Sequence, residues 1–169
     1  MPMNSSKKSA SKINLILGLT LLFVLGCVNI DEDIVLEDLS AREIFINAEK
    51  AWGNGDNEKA AELFLEIERI YPYSELAKQA LLNNAIVLQL EKDYEGSRLS
   101  ANRFITFYPA DKNTPYAYYL LALSYYDQID EIGRDQANTY EALKLFRIII
   151  ERYPESKFSS ASSLKKDLA

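Results

Sequence analysis

Cys27 is the only cysteine in a chain of 169 residues that also contains no histidine. A single thiol forms neither an internal disulfide nor a CxxC metal site, and a chain without histidine lacks the commonest metal ligand and near-neutral acid or base. Catalysis by carboxylates would need two acids held close together, whereas Asp31 and Glu32 fall in an expected linker and Glu62 and Glu66 on an expected exposed helix face. The sequence therefore predicts a protein that is not an enzyme and has no metal or organic cofactor.

Cys27 follows an apolar segment, residues 13–26, which itself follows a polar and basic start, residues 1–12. Fourteen residues of helix extend about 21 Å, short of the roughly 30 Å that a bilayer core requires. A basic start followed by a short apolar stretch is typical of a secretory signal. We therefore expect residues 1–26 to be an export signal rather than a membrane span.

The segment "VLGC" (residues 24–27) resembles the lipobox of bacterial lipoproteins. In such proteins the cysteine becomes the first mature residue and carries diacylglycerol and an N-acyl chain, an anchor that several acyl chains make effectively permanent. Val28, in place of aspartate, resembles lipoproteins that are passed on to the outer membrane and face the periplasm. The resemblance implies a lipoprotein signal peptide at 1–26 and lipidation of Cys27. A plain signal peptide and an ordinary buried thiol are the alternatives.

Charge is distributed unevenly about the cysteine. Lys7, Lys8 and Lys12 are the only charged residues before it, so all 25 acidic residues lie beyond it. We expect residues 27–39 to form a lipidated acidic linker. Because an acidic surface repels a phosphate backbone, nucleic acid is not an expected partner.

Three Tyr-Pro pairs mark a repeat in the rest of the chain. Each pair ends a stretch with helical spacing of apolar residues, and proline cannot continue a helix. The small residues Ala48, Ala85 and Ala122 lie upstream of the pairs, 37 residues apart both times. The pattern predicts seven helices, at about 40–53, 57–71, 74–91, 93–108, 114–131, 138–153 and 155–167.

Paired antiparallel helices with a period of about 30 to 40 residues are typical of an α-solenoid. We therefore predict an all-α fold, an α-solenoid of tetratricopeptide-like helix pairs with three pairs and the first helix of a fourth. The alternative is an irregular helical bundle. Between its two helices the third repeat carries a long insertion, around residues 130–139. The expected repeat domain spans residues 40–169, divided into 40–72, 73–109, 110–154 and a partial 155–169.

Four motifs follow one another behind the lipobox-like segment: "YPYS" (71–74), "FITFYP" (104–109), "RDQANTYEAL" (134–143) and "RYPESKFSSAS" (152–162). In this order they resemble the BamD family, the tetratricopeptide-repeat lipoproteins of the outer-membrane β-barrel assembly (BAM) complex. The resemblance implies a non-catalytic periplasmic scaffold that helps receive and insert unfolded β-barrel outer-membrane protein precursors. It also implies contacts with BamA and other BAM subunits, and a partner-contact loop containing Arg134, Asp135 and Gln136.

The family has five repeats, whereas this chain ends at Ala169 within the expected fourth. Contacts that the family makes with BamA through its C-terminal repeats are therefore not carried over. The apolar stripe of Phe158, Ala161, Leu164 and Leu168 fits either a solubilising cap or a helix whose partner is missing, and we expect a truncated chain. A different tetratricopeptide-repeat envelope lipoprotein, an adaptor for cell division or peptidoglycan synthesis, is the alternative function.

In a solenoid of this kind the first helix of each pair lines the concave side. Positions three before, one after and four after the small central residue then face a groove. Such an aromatic, lightly charged groove suits an extended peptide with aromatic side chains, such as the terminal segment of a barrel protein. The alternative is that the rings pack against neighbouring helices. The predicted peptide-binding residues are Phe45, Glu49, Trp52, Leu82, Ile86, Gln89, Tyr116, Tyr119, Leu123 and Tyr126.

Overall fold

The computed structural model describes residues 36–129 and 136–168. The expected signal peptide, Cys27 and most of the expected linker lie outside these residues, as do Arg134 and Asp135 of the expected partner-contact loop. Val35–Ala169 form one compact unit.

Seven helices follow a short 3-10 turn at Leu36–Asp38 in these described residues. They alternate between the first and the second helix of each repeat, which we call A and B helices. The A helices are α1 (Ala41–Gly53), α3 (Glu75–Leu90), α5 (Thr114–Tyr126) and α7 (Lys157–Leu168). The B helices are α2 (Asn57–Ile70), α4 (Tyr94–Phe107) and α6 (Gln136–Arg152).

Each helix packs against the next one along the chain, and the two described stretches contain no strand. Successive A helices also touch one another. In the described residues, successive B helices make far fewer contacts with one another. The A helices therefore form the inner layer of the array. The predicted all-α helical repeat is confirmed.

Small residues let the two helices of each repeat approach closely. In the second repeat the hydroxyl of Ser97 donates a hydrogen bond to the backbone carbonyl of Ala85 at 2.9 Å. Such a contact is possible only where neither side chain is bulky. The small residues of all three repeats are fully buried: Ala48, Ala85 and Ala122 on the A helices, and Ala60, Ser97 and Ala142 on the B helices.

The B helices end where the sequence predicts, at the Tyr-Pro pairs. Tyr71 and Tyr108 have left the helical region, with φ −126° and ψ 55° for the first and φ −129° and ψ 54° for the second. Each N–H still donates to the carbonyl four residues back, that of Ile67 or Phe104, at 2.8 Å. The proline that follows disfavours helical backbone in the residue before it, so the helix stops there.

Polar side chains start several helices. At α1 the backbone N–H of Ser40 donates to the Glu43 carboxylate at 2.8 Å, and the Glu43 N–H donates to the Ser40 hydroxyl at 3.3 Å. These reciprocal bonds form a capping box. Asp56 and Asp93 begin α2 and α4 in the same turn position, each accepting one backbone N–H.

The fifth helix begins where the sequence predicts but ends earlier. Thr114 is its first residue, and its hydroxyl donates to the carbonyl of Tyr108 at 2.7 Å. The helix ends at Tyr126 rather than at residue 131. The next N–H groups, those of Gln128 and Ile129, donate to carbonyls only three residues back, which tightens the chain into a turn.

Candidate interaction surface

Equivalent positions recur every 37 residues from α1 to α3 to α5, so the ten predicted groove residues fall in rows across the A helices. We call the side of the A helices that carries these rows the inner face. The rows are Phe45, Leu82 and Tyr119; Glu49, Ile86 and Leu123; and Trp52, Gln89 and Tyr126, with Tyr116 one turn earlier on α5.

The first row is largely part of the core. Phe45 and Leu82 are each only 8% exposed. The ring of Phe45 packs edge-on against Phe64 of α2, with 5.5 Å between centroids. Phe45 and Leu82 therefore offer little surface to a partner. Repeat spacing alone does not distinguish such buried positions from exposed ones.

Trp52 and Glu49 present more of the first repeat to solvent. Trp52 is half-buried and lies perpendicular to Phe64, with 6.2 Å between ring centroids. Glu49 is exposed. The indole of Trp52, held by Phe64, and the carboxylate of Glu49 thus lie within one turn of α1.

The second repeat contributes a polar link across the inner face. Gln89 on α3 donates through Nε2 to a carboxylate oxygen of Asp127, just beyond α5, at 2.8 Å. Its Oε1 is buried and has no hydrogen-bond partner among the described residues. Ile86 and Leu123, in the adjacent row, are half-buried.

The tyrosines of the third repeat lie against α7. Tyr116 stacks on Phe158, with 4.7 Å between centroids and 10° between planes. Tyr119 lies 5.3 Å from Phe158 and 6.2 Å from Phe146. These rings pack against neighbouring helices, as the alternative interpretation expects, but both remain only half-buried.

Tyr126 carries a cation on its ring. The Nζ atom of Lys165 on α7 lies 4.2 Å from the ring centroid, while the ring of Phe146 lies 6.0 Å away at a steep angle. A cation at this distance is attracted by the electron-rich ring face. The inner face therefore has a fixed positive charge at its α7 end.

Tyr116 and Tyr119 keep their hydroxyl protons at neutral pH. Burial and the neighbouring Tyr119 raise the pKa of Tyr116. Burial, followed by the charge of Asp127 and the proximity of Tyr126, raises the pKa of Tyr119. Both hydroxyls are therefore neutral hydrogen-bond donors for a ligand.

Two leucines of α7, predicted only as part of an apolar stripe, extend the rows of the predicted groove. The insertion in the third repeat lengthens the period to 45 residues, as the step from Pro109 to Pro154 shows. With this offset Leu164 and Leu168 follow Tyr119 and Leu123 in their rows, and the two leucines are 64% and 68% exposed. The unequal proline spacing is the signal by which they could have been found.

The remaining predicted site, the partner-contact loop, is described only at its end. Gln136 is the first residue of α6 and is exposed. Within the described part of the chain, no group of three or more acidic, histidine or cysteine side chains is placed to hold a metal ion. Of the helices that the structure describes, none has the length and hydropathy of a membrane span.

A cleft lies between the first two Tyr-Pro turns, away from the inner face. It is a cleft of about 420 Å³ whose aromatic lining includes Tyr73, Phe107 and Tyr108. Lys78 also lines it and forms ion pairs with Glu75 and Asp111, at 2.7 and 3.0 Å. The cation is thus already neutralised by this chain.

Residues 37–168 match the family model described as YfiO, outer membrane lipoprotein. An outer membrane protein assembly factor BamD from Caulobacter vibrioides is 31% identical over 135 residues, which cover 80% of this chain and 44% of the relative. A protein of the same name from Rickettsia prowazekii is 41% identical over 110 residues, 65% of this chain and 44% of the relative. Another, from Neisseria meningitidis serogroup A, is 24% identical over 169 residues, which cover 94% of this chain and 63% of the relative. This chain therefore spans about half the length of the curated relatives it matches.

Proposed function

The chain belongs to the YfiO family of outer membrane lipoproteins, and from that premise we propose that it is a non-catalytic scaffold of the complex that assembles β-barrel proteins in the outer membrane. The observation that carries this proposal is the family match over residues 37–168, together with relatives named outer membrane protein assembly factor BamD. The chain spans about half of those relatives, so the proposed role rests on the helical repeats that it shares with them.

Family membership associates the chain with the outer membrane. The proposed anchor is Cys27, with diacylglycerol on its sulfur and an acyl chain on its new N-terminus. The support for this residue is its position: it is the only cysteine, at the end of a short apolar segment that follows a basic start. The proposed orientation of the repeat domain is towards the periplasm, with BamA and other BAM subunits as its partners.

The inner face is the proposed binding surface for unfolded barrel precursors. Its half-buried rings, Trp52, Tyr119 and Tyr126, are held by neighbouring rings and offer flat apolar contact to the side chains of an extended peptide. Rigid aromatic side chains lose little conformational entropy on binding, which is why they are enriched at interface centres. The proposed scaffold acts by holding such a segment close to the membrane.

Depletion in the source organism tests the proposed role. The expected result is loss of folded β-barrel proteins from the outer membrane, measured by heat-modified electrophoretic mobility, and recovery when the wild-type chain is supplied. Mass spectrometry of the purified protein should find a mature chain that starts at an acylated Cys27. Unchanged barrel levels with a defect in division or peptidoglycan would instead support the adaptor alternative.

A further inference from the structure

Helices α2 and α4 leave a groove between them, away from the inner face. Successive B helices make few contacts with one another in the described residues, and Arg103 on α4 reaches across to α2 through an ion pair with Glu68. A cleft of about 460 Å³ adjoins this ion pair and has Leu65 in its lining. It shares Glu68 and Pro72 with the cleft of about 420 Å³ at the Tyr-Pro turns. We call the two clefts together the Tyr-Pro groove.

Exposed aromatic rings line the Tyr-Pro groove at one end. Tyr73 is fully exposed and Phe107 is 57% exposed, whereas Tyr108 is half-buried. Tyr108 lies 5.4 Å from the buried ring of Phe104 and 6.4 Å from that of Phe107, measured between centroids. Tyr108 is thus held by the core, while the rings of Tyr73 and Phe107 face solvent in the same cleft. Exposed apolar groups that lie together mark an interaction surface more often than isolated ones do.

The charge that accompanies these rings is negative. Lys78 is shared by the carboxylates of Glu75 and Asp111, at 2.7 and 3.0 Å, so one negative charge is left over. The side chain of Glu75 is 84% exposed, whereas those of Lys78 and Asp111 are 22% and 14% exposed. A partner that approaches the rings therefore meets a carboxylate rather than the ammonium.

An extended segment in the polyproline II conformation fits this combination of groups. Its proline rings pack against exposed aromatic rings, and its backbone carbonyls have no internal hydrogen-bond partners. The exposed hydroxyl of Tyr73 is a donor for such a carbonyl. A basic side chain beside the prolines is attracted by the Glu75 carboxylate and by ring faces. An amphipathic helix fits less well, because it needs a continuous apolar stripe, which the ion pair of Arg103 and Glu68 interrupts.

We propose that the Tyr-Pro groove binds a proline-rich segment of a partner protein, with a basic residue of that segment at Glu75. The rings of Tyr73 and Phe107 hold the prolines, and the segment continues past Pro72 towards Leu65 on α2. None of the ten predicted residues of the inner face lines this groove. The proposed site is therefore separate from the inner face and does not depend on the peptide-binding role proposed for it.

Three matched peptides with fluorescein at the N-terminus test the proposal. The first has six prolines followed by arginine. In the second, glutamine replaces the arginine, and in the third, alanines replace the prolines. Fluorescence anisotropy with the full chain should show binding of the proline–arginine peptide. The glutamine peptide should bind about threefold more weakly, as expected for one exposed ion pair. The alanine peptide should bind about tenfold more weakly, because it loses the ring contacts and is not extended beforehand.

Four variants locate the site. Tyr73→Ala should weaken binding of the proline–arginine peptide about tenfold, and its helices should be retained by circular dichroism because the ring is fully exposed. Tyr140→Ala is the matched control, since that ring is 66% exposed on α6 and does not line the groove. Glu75→Gln should bind the arginine and glutamine peptides equally. Trp52→Ala, on the inner face, should bind like wild type.

The outcomes that would overturn the proposal are distinct. Failure of the wild-type chain to bind the proline–arginine peptide would overturn it, as would equal binding of the alanine peptide. Loss of binding in Trp52→Ala without loss in Tyr73→Ala would place the peptide on the inner face and contradict a separate site. A preference for arginine that persists in Glu75→Gln would overturn the position assigned to the basic residue.

Discussion

Gly55 and Lys92 occupy equivalent turns, 37 residues apart, and both have left-handed backbone, with φ 83° and φ 62°. In each turn the chain leaves an A helix and enters a B helix that the following aspartate caps. The same conformation forms with glycine and with lysine, so the repeat geometry determines it. Glycine adopts this conformation without steric cost, whereas the Cβ of lysine crowds the following carbonyl.

Lys92→Gly is therefore expected to stabilise the protein. We expect the free energy of unfolding to rise by about 0.5–1 kcal/mol, after allowance for the greater entropy of glycine in the unfolded chain. Gly55→Ala should lower it by about 1 kcal/mol through the backbone alone, because a Cβ at Gly55 would meet nothing within 4 Å. Urea unfolding measures both changes. Lys92→Ala, which keeps the strain, is the control and should behave like wild type; a loss of stability in Lys92→Gly would contradict the prediction.

A buried amide joins the first two repeats. Asn84 is fully buried on α3; it donates to the carbonyl of Ala61 on α2 at 2.7 Å and accepts from the hydroxyl of Ser100 on α4 at 2.6 Å. Asn84→Leu should lower the free energy of unfolding by about 2–3 kcal/mol, because it leaves buried polar partners unsatisfied. Urea unfolding of Asn84→Leu beside the exposed control Asn102→Ala checks this. Similar small losses in the two variants would show that the network contributes little.

The buried repeat positions could be predicted from the sequence because spacing alone determines them. Ala48, Ala85 and Ala122 are small and periodic, and a helix pair has no room for larger groups there. The burial of Phe45 could not be predicted in this way, since it depends on the ring of Phe64 on another helix. Leu164 was not assigned to the groove because the insertion in the third repeat changes the period from 37 to 45 residues.

The end of α5 was predicted too late for a similar reason. Asp127 and Gln128 are polar, but Ile129 follows Tyr125 and Tyr126 by four and three residues, which is helical spacing, so hydrophobic spacing gives no stop signal there. The stop comes from hydrogen bonding, because Gln128 donates to a carbonyl only three residues back. Its side-chain Nε2 also donates to the carbonyl of Ser124 at 2.6 Å, which occupies an acceptor at the helix end. Such local competition for carbonyls is not readable from residue types.

Asp111 should make the stability of the fold depend on acidity. Burial raises the pKa of its carboxyl, but the N–H of Asn113 and the ammonium of Lys78 outweigh burial, so its pKa lies below the ordinary value. A carboxyl whose pKa is lower in the folded protein stabilises the fold above the unfolded value, near pH 4, and this contribution is lost as the pH falls through the folded value.

Asp111→Asn should therefore lower the melting temperature at pH 7. The difference in melting temperature between wild type and variant should become smaller as the pH approaches 3. Thermal unfolding followed by circular dichroism at pH 7, 5 and 3 measures this. Asp38→Asn, on the exposed 3-10 turn, is the matched control and should differ little from wild type at any pH. A constant difference between Asp111→Asn and wild type across this range would contradict the assigned ionisation.

Trp52 should report directly on peptide binding, because it is the only tryptophan and lies half-buried on the inner face. We expect its emission to shift when an aromatic-ended peptide is added. Trp52→Ala should weaken binding about tenfold, the effect of truncating a central aromatic contact. Because Trp52→Ala has no tryptophan to report on binding, its affinity is measured from the fluorescence anisotropy of a fluorescein-labelled peptide.

Tyr119→Phe separates binding by the hydroxyl from packing of the ring. The variant keeps the ring contacts with Phe146 and Phe158, so its stability should match wild type, while any hydrogen bond from the hydroxyl to the peptide is lost. We expect a loss of affinity of about fivefold, as for one neutral hydrogen bond. Unchanged affinity in Tyr119→Phe together with a loss in Tyr119→Ala would assign the contribution of this residue to ring contact alone.

Recovery of BamA tests the assembly role most directly. The tagged chain would be purified from cross-linked envelopes of its source organism and the eluate probed for BamA, with the Cys27→Ala variant, which lacks the proposed lipid attachment site, as the comparison. The account predicts that BamA is recovered with the wild-type chain and much less with Cys27→Ala. Absence of BamA from the wild-type eluate, with division or peptidoglycan-synthesis proteins in its place, would contradict the account.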